Sequence, residues 1–558
     1  MGVRHHAGQV DEVGGLDDEH GVEAVGGERL PQHRVAPPDL LRGDHAGTLA
    51  DGRYAPGVIL EGGTIHTGDP ALPRVAALPI DDRGRVSRGV EAWEGDASAV
   101  STERIDLEGR TVVPGFVDAH LHFLSWALDR ARVDVRDAPT AALALERVAE
   151  RAAADRAAGA DGGWLIGGGW TEAMLAEVTD PAAALDAAAG GRPAALWSRD
   201  RHALWLGSAA LAAIGGEALR REDAAWAVPL PAPTRAERQR AVVEGQRAAH
   251  AAGLTGIHDF ERTGGRRTWQ ELDGDDRVTL RVLSAIGAEY VDGIEAVEVV
   301  AGFGSEHVRI GMVKAFMDGT LGARTAHMLE AYDDGGRGLA LLDADAVADL
   351  AMRAAGLGLP VALHAIGDAA VRAALDGLAA SRDAWQELAG LHERPPRIEH
   401  AQLVHPDDLA RFAELGVVAS MQPVHAVEDR ADAAAAWGAR GAGAYAWEPL
   451  RAAGATLVLG TDAPISPLDP IATLAAAVGR PHVAGHALSV DDALRAMTWA
   501  PYAVSGLGAR HGRLAPGRAA DLVVLDADPY ATAPEDLAGI GVVATMVGGR
   551  WVHGRPPW

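Results

Sequence analysis

His120-Leu121-His122 puts two imidazoles two residues apart inside "FVDAHLHF", an apolar run that reads as a β-strand. Residues i and i+2 of a strand face the same side, so the pair suits chelation of one metal ion. By itself the pair is weak evidence, because two surface histidines have the same spelling. Further along, "PVALHAIGD" supplies His364, "PRIEHAQLV" supplies His400 and "ATLVLGTDAP" supplies Asp462, each near the C-terminal end of an apolar run. A lone histidine in an apolar strand is more often a satisfied core residue. Four histidines and an aspartate at strand ends, in a chain without cysteine, together favour a metal site.

Lys314, in "MVKAFMDGTLGARTAHM", is the single lysine of the chain; the rest of the 51 basic residues are arginine. It falls at the end of another apolar run. An ammonium beside a dication is repelled, but a neutral amine reacts with CO₂ to give a carbamate, an anion that can bridge two metals. Arginine cannot replace it, because its pKa above about 12 keeps it protonated. The plain alternative is an ordinary ion pair, for example with Asp318; the company of the other ligand candidates favours the carbamate.

Eight runs must position these residues: "FVDAHLHF", "LTGIHDF", "TLRVLSAI", "RIGMVKAF", "PVALHAIGD", "PRIEHAQLV", "GVVASMQP" and "ATLVLGTDAP". They alternate with Ala-rich helical stretches, which predicts an α/β fold, a (β/α)₈ TIM-like barrel with its chemistry at the C-terminal strand ends. The barrel spans about 113–511, interrupted by an insertion at about 130–250 between the first and second runs. Short strands and turns at 56–112 and 512–558 predict a small β-sandwich domain made from both ends of the chain. Residues 1–55 show no sustained periodicity and read as a disordered or mis-assigned N-terminal extension.

The chain has 558 residues and a formal net charge of −27, which disfavours a phosphate-backbone partner. The absence of cysteine excludes disulfides, thiolate ligands and a thiol nucleophile. No apolar run is long enough to span a membrane, and no signal peptide opens the chain, so the expected location is cytoplasmic. Expected partners are a small-molecule amide and neither nucleic acid nor membrane; a homodimer is left open.

The ordered set "VVPGFVDAHLHF", "VKAFMDGTLGARTA", "LHAIGDAAV", "RIEHAQLV" and "GTDAP" resembles the amidohydrolase superfamily. More narrowly it is similar to amidohydrolase family 3, the branch of N-substituted formamide deformylase-like hydrolases. "GRLAPGRAADLVVLDADP" resembles that superfamily's composite β-domain. The resemblance implies a binuclear centre, with Zn²⁺ the default ion. His120 and His122 would bind the first metal, and carboxylated Lys314 would bridge to a second held by His364 and His400. Asp462 would ligate the first metal and act as the catalytic base. The implied activity is cleavage of an amide or formamide C–N bond, not a peptide bond, by metal-activated hydroxide. Alternatives are a mononuclear ring deaminase of the same superfamily and an inactive regulatory homologue. "RDRHALW" departs from the family pattern, with Arg201 where Gly is usual and Gly207 where Asn is usual.

Three further residues are substrate-binding candidates: His202 in the insertion, for which a structural role is an equal reading, Arg324 in "LGARTA", which can equally make a loop-fixing ion pair, and His258, which can stand behind the ligands. Glu399 and Gln402 flank His400 and are candidates to orient it. Asp318 and Asp368, each beside Gly, read as loop-shaping. Trp164, Trp170, Trp205 and Met421 read as core residues that could also line an apolar pocket.

Overall fold

The computed structural model describes residues 57–87, 103–159, 162–199, 203–221, 223–332, 335–479 and 485–556. The N-terminal extension expected over 1–55 lies outside the described residues, as does His202.

All eight apolar runs become strands of one parallel sheet. We label them β1 (Phe116–Leu121), β2 (Leu254–Asp259), β3 (Arg281–Gly287), β4 (Val308–Phe316), β5 (Val361–Ala365), β6 (Arg397–His400), β7 (Val418–Met421) and β8 (Leu457–Leu459). They pair in sequence order from β1 to β8, and helices cover the outside, which is the TIM-like arrangement. Strands buried on both faces read as continuous apolar runs, and for that reason these were visible in the sequence.

Just beyond β8 the chain returns to β1. The Asp462 N–H donates to the His120 carbonyl at 2.7 Å, and the His122 N–H donates to the Ala463 carbonyl at 2.7 Å. Asp118 ties the same seam, accepting from the His120 N–H at 3.1 Å and from the Thr461 N–H at 3.0 Å. Gly460 is required at this approach, because a Cβ there would lie 2.5 Å from the His120 nitrogen.

Strands from both chain ends share a seven-stranded sheet: Val58–His66, Arg74–Ile80, Glu103–Asp106, Thr111–Pro114, Leu522–Leu525, Val542–Val547 and Arg550–His553. Alternate side chains, among them Leu60, Ile65, Val112, Leu522 and Met546, form its core. Arg281, the first residue of β3, joins this sheet to the barrel through a buried pair with Asp521 at 2.7 and 2.9 Å. Between β1 and β2 the inserted segment builds a five-stranded sheet with a separate apolar core. Trp170 and Trp205 are fully buried there and donate to the Leu196 and Pro181 carbonyls, so both are packing residues. Among the described residues no helix is long and apolar enough to cross a membrane.

Candidate metal centre

The ligand candidates meet at the C-terminal ends of the barrel strands. His122 sits one residue past β1, His364 within β5, His400 at the end of β6 and Asp462 three residues past β8. Asp462 Oδ1 lies 3.6 Å from His120 Nε2 and 3.5 Å from His122 Nε2. The His400 ring is 4.9 Å from that of His120 and 4.5 Å from that of His364, centroid to centroid. His400 (φ 74°), Ala401 (φ 42°) and Asp462 (φ 59°) occupy the left-handed region, which side chains other than glycine's adopt only under constraint. The chain thus holds strained backbone at two of the ligand-bearing strand ends, those of β6 and β8.

Hydrogen bonds set the tautomers of three histidines. His120 Nδ1 lies 2.6 Å from Glu399 Oε2, and a carboxylate only accepts, so Nδ1 carries the proton and Nε2 keeps its lone pair. His400 Nδ1 donates to Gln422 Oε1 at 2.9 Å, again leaving Nε2 free to ligate. In His364 the order is reversed: Nε2 donates to the Gly319 carbonyl at 3.0 Å and Nδ1 keeps the lone pair. This is how metal-binding histidines are held, one nitrogen fixed by an acceptor and the other offered to the ion.

Electrostatics act in the same direction. Burial, and then the charge of Lys314, pull His122 down to about 4 and His364 down to about 3. Burial likewise carries His120 and His400 well below the ordinary imidazole value. Neutral imidazoles are the ligating form. Burial raises the proton affinity of Asp462, with Lys314 opposing and Asp118 adding to the rise. Among the ligand candidates expected from the sequence, two atoms are buried without any hydrogen-bond partner, Asp462 Oδ1 and Lys314 Nζ. A buried carboxylate oxygen and a buried amine are both costly without a partner, and a bound cation accounts for the carboxylate. The donor set of imidazole and carboxylate fits a divalent metal such as zinc.

Lys314 is 4 % exposed. Its amine stands 5.0 Å from the Phe260 ring centre and 5.1 Å from that of Phe316. Burial lowers its pKa, with Glu399 and Asp462 opposing, so the neutral amine is more accessible than in an exposed lysine.

Beneath the ligands lies a buried network centred on Arg397. Its guanidinium meets Glu399, the Ala119 carbonyl at 2.8 Å, Ser420 Oγ at 2.6 Å and His258 Nδ1 at 2.9 Å. His258 is therefore a partner of Arg397 inside the barrel, held behind the ligands. The orienting residues also differ from those expected at His400. Glu399 reaches across to His120, Gln402 meets His425, and it is Gln422 that fixes His400. The positive φ of His400 ends the extended strand, so neighbours in sequence no longer predict neighbours in space.

Arg324 is half-buried on the loop after β4 with its guanidinium 6.0 Å from the Tyr332 ring. Asp318 accepts from the His327, Ile366 and Gly367 N–H groups, and Asp368 from the Leu329 N–H, so both shape loops. Met421 is buried core. The residue that sequence reasoning missed is His425. Its Nε2 lies 3.7 Å from Asp462 Oδ2, and potential ligand atoms of His400, His425 and Asp462 all lie within 4.8 Å of one another, as do those of His120, His122 and Asp462. The only signal for it was "SMQPVH", a histidine four residues past β7.

A parallel barrel carrying this histidine–aspartate centre at its C-terminal end defines the class of metal-dependent hydrolases. The chain belongs to the amidohydrolase family, whose Amidohydro_3 model matches residues 103–553. It is 29% identical to the Protein LONG AFTER FAR-RED 3 of Arabidopsis thaliana, over 91% of this chain and 92% of that protein. It is 27% identical to the N-substituted formamide deformylase of Arthrobacter pascens, over 83% of this chain and 92% of that one. The crystal structure of an uncharacterized metal-dependent hydrolase from Pyrococcus furiosus superposes with a TM-score of 0.72 at 29% identity, covering 85% of this chain and all of the other.

Proposed function

We propose that this protein hydrolyses the C–N bond of an N-acyl or N-formyl amine, not a peptide, using two Zn²⁺ ions bridged by the carbamate of Lys314. The observation that carries the reading is the Lys314 amine, buried and without a hydrogen-bond partner while its charge acts on His120, His122, His364 and His400. Addition of that neutral amine to CO₂ forms one N–C bond, releases one proton and turns the residue into an anion. His120, His122 and Asp462 would hold one ion, and His364 and His400 the other. When bound, the ions acidify water towards a pKa of about 7 and polarise a carbonyl group.

The remaining work falls to the chain. Asp462 accepts the proton of the attacking water and passes it to the departing nitrogen, so that water and amide become a carboxylic acid and an amine. Its raised proton affinity suits a group that must both take and return a proton. Glu399 and Gln422 keep the His120 and His400 rings in register throughout. The choice of an amide C–N bond is supported by the likeness to the N-substituted formamide deformylase over 83% of the chain.

The test is a screen of N-formyl and N-acyl amines for release of amine, with chelated enzyme and with enzyme reloaded with zinc. Turnover lost on chelation and restored by zinc is expected. Turnover indifferent to chelation, or activity confined to release of ammonia from ring amidines, would contradict the proposal.

A further inference from the structure

His425 is held the opposite way from the other histidines. Where His120, His364 and His400 each turn one nitrogen to an acceptor, His425 Nδ1 faces the Gln402 amide nitrogen at 3.2 Å. The amide nitrogen is the end of Gln402 that faces His425, and the hydrogen bond by which Gln402 opposes the rise that burial gives the Asp429 carboxyl agrees with a donor there; Gln402 Oε1 is buried without a partner. An imidazole nitrogen facing a donor must be the acceptor, so the His425 proton is on Nε2. Nε2–H is buried and has no hydrogen-bond partner; Asp462 Oδ2, at 3.7 Å, is too far. As a metal ligand, Nε2 would need its lone pair, which would move the proton to Nδ1 and set two donors against each other. The short distances among His400, His425 and Asp462 therefore do not make His425 a ligand.

The ring is rigidly supported. The Asp429 N–H donates to the His425 carbonyl at 2.8 Å, the Tyr445 hydroxyl reaches Asp429 at 3.2 Å, and the Tyr445 N–H donates to the Gln402 carbonyl. His425 stacks on His400, centroids 6.0 Å apart and planes 12° apart. A preorganised, buried N–H beside the residue that handles the proton is what stabilises negative charge developing on a carbonyl oxygen. Nε2 lies 3.7 Å from Asp462 Oδ2, so an acyl carbon attacked next to Asp462 would bring its oxygen near this group.

We propose that His425 Nε2–H donates to the substrate's acyl oxygen and to the oxyanion it becomes, with Gln402 and Asp429 as the residues that position it. This rests on the acyl-hydrolysis reading above.

The test compares His425→Phe and His425→Gln in zinc-loaded protein, reading zinc per chain, kcat and KM on an N-acyl amine, together with the imidazole ¹⁵N spectrum of the wild type. His425→Phe should keep the full zinc content and lose about 10²–10³-fold in kcat, with KM little changed. His425→Gln, which keeps an N–H, should recover at least about tenfold of that loss. The spectrum should show Nε2 protonated and Nδ1 not. Loss of zinc in either variant, a metal-bound Nε2, or unchanged kcat in His425→Phe overturns the assignment while leaving amide hydrolysis intact. A wild type that turns over no N-acyl or N-formyl amine overturns the reading beneath both.

Discussion

Replacing Glu399 with Gln separates what the buried carboxylate does for the fold from what it does for the metal. Both partners of its bond to His120 are buried, at 1% and 0% side-chain exposure. The substitution keeps the shape and removes the charge, so two effects follow. Arg397 loses the counter-charge of its buried pair, and breaking such a pair from one side costs about 3–5 kcal/mol. The bonds from Arg397 to Ala119, Ser420 and His258 survive, which argues for the lower end, about 3 kcal/mol. Separately, the His120 ring exchanges a carboxylate acceptor for a neutral amide oxygen, which lowers its basicity and weakens metal binding about 10–100-fold, or about 1.4–2.7 kcal/mol. Urea unfolding of metal-free and zinc-saturated protein resolves the two. The metal-free variant should be about 3 kcal/mol less stable than wild type. Zinc should then widen the gap by about 1.4–2.7 kcal/mol, because the ion stabilises only in proportion to its affinity for the folded state. Equal zinc-induced shifts in the two proteins would refute the account of Glu399 as the residue that prepares His120.

Lys314→Arg preserves the formal charge but not the chemistry. Zinc should fall from two ions to one per chain by elemental analysis, and kcat/KM should drop by at least about 10²-fold; full zinc with full activity would remove the carbamate. Asp521→Asn tests the joint between barrel and end sheet. Burial raises the proton affinity of Asp521, but Arg281 and His511 outweigh it and hold the carboxyl below its usual range. A carboxyl depressed in the folded state stabilises above its unfolded pKa, about 4, and that stability is lost only as pH falls further. The variant should therefore be about 3–5 kcal/mol less stable at pH 7 and equally so at pH 5, with the difference shrinking below about pH 4 in urea melts.

Much of this architecture was legible because a parallel barrel writes itself as apolar runs ending in ionisable residues. "PVALHAIGD" and "PRIEHAQLV" show both the strand and the ligand in one stretch. Alternation also placed His120 and His122 on one side, although His122 lies past the strand end, at the N-cap position of the following helix and without a side-chain capping bond. What failed is whatever depends on approach across the barrel. Glu399 orients a histidine 279 positions away, and Gln422 fixes His400 from the next strand end. No local pattern encodes such pairs. His425 was hidden because it sits on a short helical turn after β7, where neither strand nor helix periodicity marks a side chain as facing the centre. His258 was visible as a polar strand residue, but its direction, down to Arg397, is set by a guanidinium that the sequence does not place.

The most direct measurement is a crystal structure of the zinc-loaded protein recorded at the zinc absorption edge. The account predicts two anomalous peaks, one by His120, His122 and Asp462 and one by His364 and His400, with continuous density for a carboxylate beyond the Lys314 amine. An unmodified Lys314 side chain beside a single ion would contradict it.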